Sequence, residues 1–257
     1  MAKRLRILKR IAANVFMVEM IQRSTYIAYS EIGKRKKNED AYFPVSGEES
    51  NNLFFVCDGI GGNGDGDLAS AFVQLQLQQE ITSAELTPKQ LSEAILETNS
   101  KLMRYSQQVG NLQMGCTVAV LQVQNNQAIV GWVGDSRVYH FRKDEILFRT
   151  KDHTLFELLR ESEDLGDEAE IDERTRNVIY QALGPKNSRL KPSIQTLNQV
   201  DKGDIFLLCT DGLLEAWQEE GLQELIKQKG MQSAEEIRNK CALHSKDNYT
   251  FILVQVK

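Results

Sequence analysis

Short apolar runs separated by polar turns dominate the chain, and several alternate in the manner of half-buried strands. Residues 25–29, 53–57, 117–123, 128–133, 136–141, 204–210 and 250–256 are rich in Val, Ile, Phe and Tyr and are predicted as strands. Asn125-Asn126 reads as a hairpin turn between two of them, and Gly134-Asp135 as a turn between the next two. Three strands joined this tightly are expected to run antiparallel, because a parallel crossover consumes roughly a dozen residues or more. Helical periodicity falls between these groups. Residues 67–81 place Leu68, Ala71, Phe72, Leu75 and Leu77 on one stripe. A second helix is expected from Thr87, with Pro88 at its first position and Leu91, Ala94, Ile95, Asn99 and Leu102 along one face. Ser233 with Glu236 is a capping-box signature before a last helix. Hairpin strands with helix pairs between them predict an α+β sandwich, and no repeat or linker divides it.

Composition narrows the function without choosing it. The chain has 257 residues, 31 basic and 36 acidic, for a formal net charge of −5. That length buries a substantial core, and the mild acidity argues against a nucleic-acid partner, which needs a cationic surface. Cys57, Cys116, Cys209 and Cys241 lie far apart and form no CxxC pair, so reduced core thiols in a cytoplasmic setting are expected. Lys3, Arg4, Arg6, Lys9 and Arg10 precede a short apolar run. Asn14 and Glu19 interrupt that run, so residues 1–24 are read as a basic, helical extension and membrane contact is not expected.

The most informative stretch runs from Leu53 through Asp58 to Gly66, a strand followed by glycines and then a helix. Gly59-x-Gly61-x-x-Gly64 has the form of the dinucleotide fingerprint. Two features oppose that reading. Asp58 places a carboxylate where a pyrophosphate would sit, and two helices and an antiparallel meander follow where a parallel strand is required. An EF-hand reading of Asn63, Asp65 and Asp67 lacks its glycine and its closing glutamate. The alternative makes Asp58 the point of the loop: an aspartate at a strand end, followed by glycine, offers a carboxylate and an open carbonyl to a hard cation.

Alone, Asp-Gly after a strand is an ordinary turn. The pattern recurs, however. Residues 205–210 lead into Asp211-Gly212, Asp247-Asn248 stands before the terminal strand, and Asp135 sits at what reads as a hairpin tip. Carboxylates at strand ends can converge on one rim of a sandwich, where shared divalent ions make the clustered charge tolerable.

Together these segments resemble the protein phosphatase 2C family, particularly its bacterial members. Gly33-Lys-Arg35-Lys-Lys-Asn38-Glu39-Asp40 is similar to the opening motif. Val56-Cys-Asp58-Gly59, Met114-Gly-Cys-Thr117, Gly134-Asp-Ser-Arg137, Cys209-Thr-Asp-Gly-Leu213 and Asp247-Asn-Tyr-Thr250 follow in the family's order. Asp152-His-Thr154 and Arg176-Asn-Val-Ile179 resemble bacterial members. The likeness covers residues 25–256 and implies a catalytic domain of residues 25–257, a four-layer α-β-β-α sandwich of two antiparallel sheets flanked by helices. It implies two Mn²⁺ or Mg²⁺ ions, with a weaker third. Asp58 would bridge the pair, the Gly59 carbonyl would bind one ion, Asp211 and Asp247 would complete the other, and Asp135 would serve the third. Glu39 and Asp40 would hold waters on the metals, and Arg35 would grip phosphate, which a guanidinium fork matches better than an ammonium. The implied activity is hydrolysis of phosphoserine and phosphothreonine proteins by a hydroxide between the metals, opposite a serine/threonine kinase. A catalytically silent phosphoprotein-binding relative and a hydrolase of small phosphoesters are the alternatives.

Two departures stand out. Ile60 occupies the place of a histidine that many eukaryotic relatives carry as a proton donor, and Cys116 replaces a common threonine. His153 and His244 are read as structural. The resemblance also implies a flap at about 154–190, where Glu157, Glu161, Glu163, Asp164, Asp167, Glu168, Glu170, Asp172 and Glu173 form either a solvated helical face or a surface that favours basic substrates.

Overall fold

The computed structural model describes residues 24–45, 52–60, 65–83, 85–110, 113–161, 175, 177–184 and 189–257. The expected N-terminal extension, apart from Ser24, and most of the acidic part of the flap lie outside the described residues.

Two antiparallel sheets form the centre. One contains β1 (Thr25–Glu31), β7 (Arg137–Arg142), β8 (Glu145–Arg149), β10 (Ile205–Cys209) and β11 (Tyr249–Gln255), in the order β1-β11-β10-β7-β8. The other contains β2 (Asp40–Phe43), β3 (Leu53–Ile60), β5 (Val118–Gln124), β6 (Gln127–Val133) and β9 (Ser193–Asn198), in the order β2-β3-β5-β6-β9. A short strand, β4 (Gly115–Cys116), pairs with the end of β3. Helices α1 (Gly66–Glu80) and α2 (Pro88–Gln108) go with the second sheet, and α5 (Glu219–Lys229) and α6 (Ser233–His244) with the first. Two short helices, α3 (Leu155–Glu161) and α4 (Asp211–Leu214), follow strands at the rim.

Strand alternation explains the four layers. Phe54 and Val56 of β3 point between the sheets, packing with Leu121, Val130, Phe206, Leu208 and Ile252. Phe55 and Cys57, one residue out of step, face α1 and α2 with Val73, Leu77, Leu91 and Ile95. A third cluster joins Leu207, Cys209, Phe251 and Leu253 to Trp217, Leu222 and Ile237. Central strands buried on both faces read as near-continuous apolar runs, and each large side chain so buried contributes on the order of 1.5–3 kcal/mol. All four cysteines are free and buried, as expected.

Three expectations need correction. Gly134-Asp135 is not a hairpin turn: β6 pairs with β5 and β9, whereas β7 pairs with β8 and β10, so the chain crosses between sheets there. A two-residue connection normally closes a hairpin, but both sheets need a central strand at this point and the positive φ of Gly134 (101°) lets the chain step across. The stripe on α1 is also rotated. Ala69, Ser70, Val73 and Leu77 are buried, while Leu68 and Leu75 are 45% and 56% exposed, because this helix carries apolar residues on two faces and packing chose the smaller set. Before α6, the Ser233 hydroxyl donates to the Gly230 carbonyl and Glu236 pairs with Lys229, so no capping box forms. The capping box at Thr87 and Gln90 is present, and every residue expected on the buried face of α2 is buried.

Candidate metal centre

The ends of β3 and β10 and the beginnings of β2 and β11 meet at one rim. In the β2–β3 ladder Asp40 stands directly opposite Asp58. Residues so placed have Cβ atoms only about 4.5–5.5 Å apart, and like charges there repel. Thr117 clamps the backbone of Asp58 from both sides: its N–H donates to the Asp58 carbonyl (2.8 Å), and its hydroxyl oxygen accepts the Asp58 N–H (3.2 Å). The same hydroxyl lies 2.7 Å from that of Ser136, beside Asp135, so one threonine ties together two strand ends. Gly59 donates its N–H to the Glu39 carbonyl (3.0 Å), and a Cβ at Gly59 would lie 2.0 Å from the Gly66 carbonyl oxygen. Only glycine permits that contact. It brings the Glu39 carboxylate against the first turn of α1, where the helix N-terminus favours an anion.

On the other sheet, the Thr210 hydroxyl donates to Asp40 (2.9 Å) and accepts the Thr250 N–H (3.0 Å), locking β10 to β11. Asp211 opens α4 immediately afterwards. A Cβ at Gly212 would meet the Asn248 carbonyl oxygen at 2.0 Å, so this second Asp-Gly also marks a close backbone approach. Asn248 holds both ends of the loop that carries Arg35. Its amide donates to the carbonyls of Ile32 (2.8 Å) and Lys37 (2.9 Å), and its oxygen accepts the Glu39 N–H (2.8 Å). Arg35 itself is exposed and pairs with Asp247. Asp135 lies at the sheet crossing, which His153 braces by accepting the Gly134 N–H at Nδ1 (3.1 Å) and donating its own N–H to the Gly134 carbonyl (2.9 Å). Arg137 is spent on a two-pronged pair with Asp152 (2.6 and 2.8 Å).

The electrostatics single out the cluster. Burial, then the charges of Asp40, Asp211, Asp135 and Asp247, hold the Asp58 carboxyl well above its usual range. Burial and the charges of Asp211 and Asp247 raise Asp40 to about 7 against the hydrogen bonds of Thr250 and Thr210. Asp135 is raised to about 7 by burial, Asp211 and Asp152, and Asp211 to about 6 by burial, Asp247 and Glu215. Asp135 Oδ1 is buried with no hydrogen-bond partner. A buried acceptor left bare and carboxylates set against one another are costly unless a cation compensates them. The donor set, all oxygen, suits a hard divalent ion. Among the described residues no three such groups already close around a single point. Instead Asp247 turns to Arg35 and Asp40 to Thr210, the partners an uncompensated anion can find.

All eight residues singled out from the sequence are thus drawn to one rim. His153, read as structural, braces the sheet crossing. Thr117, Thr210 and Asn248 also position the site, and although each lies inside a quoted motif, their hydrogen bonds depend on strands distant in the chain.

The protein phosphatase 2C family model matches residues 20–163. The chain belongs to the protein phosphatase 2C family. It is 28% identical over 232 residues to a serine/threonine phosphatase of Listeria innocua, covering 86% of this chain and 91% of that one. It is 30% identical over 186 residues to the protein phosphatase PhpP of Streptococcus pneumoniae, covering 70% of this chain and 74% of that one. Among solved structures, the catalytic domain of the serine/threonine phosphatase PstP in complex with two manganese ions superposes with a TM-score of 0.76 at 25% identity, covering 91% of this chain and 98% of that one. The family's four-layer architecture is the one described above.

Proposed function

We infer that this chain is a metal-dependent serine/threonine protein phosphatase, and the observation that carries its metal site is the opposed pair Asp40 and Asp58 beside the further carboxylates Asp135, Asp211 and Asp247. Bound there, divalent cations would compensate the clustered carboxylates and supply the Lewis acidity that activates water for attack on phosphorus. We assign Asp58, the Gly59 carbonyl, Asp211 and Asp247 as the residues that hold two Mn²⁺ or Mg²⁺ ions, and Asp135 with Asp211 as a third, weaker position. Glu39 and Asp40 orient water at the rim. Arg35 takes the phosphate. Its pair with Asp247 is exposed, 58% and 29% at the two side chains, and such pairs contribute only about 0–1 kcal/mol, so exchange of carboxylate for phosphate is cheap.

The leaving oxygen finds no histidine. Ile60 is apolar, His153 is committed to the Gly134 turn and Ser193, His140 to Asp204, and His244 ends helix α6. The leaving-group proton comes from solvent on this reading. The catalytic domain is residues 25–257 with a flap at about 154–190 and a basic extension before it. Free buried thiols support a reducing cytoplasm, and a serine/threonine kinase must supply the substrates.

The test is phosphate release from phosphothreonine peptides with Mn²⁺ or EDTA, beside Asp58→Asn and Asp211→Asn. Mn²⁺-dependent release that both variants abolish is expected. Release indifferent to metal, or intact in both variants, refutes the assignment.

A further inference from the structure

The rim carries a second cavity that the metal chemistry leaves unused. Its volume is about 390 Å³, and among the described residues its walls include Ile60, Met114, Ile179, Tyr180 and Leu183, with Asn177 at its edge. Asn177 also lines the polar cleft of about 500 Å³ that holds Asp135 and Asp211. The cavity and the cleft therefore share Asn177 as a wall.

The walls are fixed by main-chain bonds. Leu183 and Cys116 exchange both of theirs (2.8 and 3.0 Å), which sets the 182–184 segment against the β3–β4 ladder two residues beyond Asp58. Ile179 is bridged to Thr154, and Tyr180 donates its N–H to the His153 carbonyl (2.9 Å) with its ring against the imidazole. The surface so held is largely apolar yet open: Tyr180 is 38% exposed. A preformed apolar hollow loses little freedom when filled and penalises a charged or strongly hydrated group.

A peptide whose phosphate lies at the proposed metal centre must run its neighbouring residues across this rim, where Ile60 of the cavity wall stands two residues from Asp58. We propose that the cavity receives a large apolar side chain flanking the phosphoserine or phosphothreonine, so that Ile60, Ile179 and Leu183 determine substrate specificity. The proposal rests on the phosphatase reading. It assigns the specificity to one apolar side chain rather than to the charge of the flap.

The test uses the full chain with Mn²⁺ and matched phosphothreonine peptides carrying Leu or Ser at each of several flanking positions in turn. p-Nitrophenyl phosphate, which has no flanking residues, is the control. At one position Leu should raise kcat/KM roughly tenfold over Ser, the scale of discrimination by a hydrophobic pocket. Ile179→Ser should reduce that preference to about twofold or less with p-nitrophenyl phosphate turnover unchanged, and Ile179→Leu should retain it. Peptide hydrolysis with equal rates for Leu and Ser at every position overturns the inference and leaves the phosphatase assignment standing. A preference that survives Ile179→Ser also overturns it. Turnover of p-nitrophenyl phosphate with no peptide hydrolysed defeats both readings together.

Discussion

Strand β10 has a carboxylate at each end, Asp204 just before it and Asp211 just after, and the molecule treats the two in opposite ways. Asp204 is buried, and burial alone would raise its pKa. Arg142 (2.7 and 2.9 Å), His140 (2.7 Å) and the Asp201 N–H (2.9 Å) overcome this and hold it well below the usual carboxylate range. Asp211 is raised to about 6 by burial and then by Asp247 and Glu215, with the Gly212 N–H and Arg35 opposing only in part. One end of the sandwich completes its electrostatics from within the chain. The other gathers anions and leaves the compensating charge to come from outside. Two aspartates flanking one strand thus differ above all in their neighbours, one met by cations and the other by anions.

The comparison can be broken most sharply at Asp58. Asp58→Asn should lower Mn²⁺-dependent peptide hydrolysis by roughly a thousandfold, equivalent to about 4 kcal/mol. In EDTA the same variant should melt no lower than the parent, because Asp40 loses an anionic neighbour. A variant that loses stability in EDTA would show that the acid is structural after all.

At the opposite end the expectation is reversed. Asp204→Ala leaves buried His140 without its carboxylate and Arg142 with only Asp201 and the Gln199 carbonyl, and should cost about 3 kcal/mol in urea unfolding. Its residual kcat, measured on the folded fraction, should stay within about twofold, since no contact of Asp204 reaches the metal rim.

pH separates the two ends by sign. The Asp204 pKa is depressed on folding, so its contribution is present above the ordinary carboxylate range and is lost as acid titrates the folded group. Asp40 and Asp135, raised from 3.8 to about 7, and Asp211, raised to about 6, behave conversely: in EDTA the protein should lose stability as pH rises from about 4 to 7. Thermal melting across that window with EDTA or Mn²⁺ reads both effects, and the gap between the curves should widen with pH. A constant gap contradicts the cluster's assignment.

A smaller effect tests positioning. Thr117→Val removes the hydroxyl that accepts the Asp58 N–H and meets Ser136. It should lower kcat by about tenfold and weaken Mn²⁺ affinity by a similar factor, as loss of an outer partner does at other metal sites. Calorimetric Mn²⁺ titration distinguishes this from simple destabilisation.

Much of this was readable along the chain. Seven strands, helix α2 with its cap, and Asp58, Asp211 and Asp247 at strand borders follow from local signals, whereas β2, β4, β8 and β9 are too short or too polar to stand out. The errors were also local readings carried too far. Two residues between β6 and β7 signal a hairpin in isolation, and two apolar faces on α1 leave its buried side undetermined. Pairing across sheets decided both. The sequence by itself determined which residues can offer oxygen to a hard cation and where the long apolar strands lie, because those depend on side-chain chemistry and short-range periodicity. Only the tertiary structure decided that Asp40 opposes Asp58 and that Thr117 and Asn248 hold the rim together. It likewise left Asp204 satisfied and Asp211 not. Each of those depends on charges and hydrogen-bond partners many residues away, brought close only when the two sheets pack.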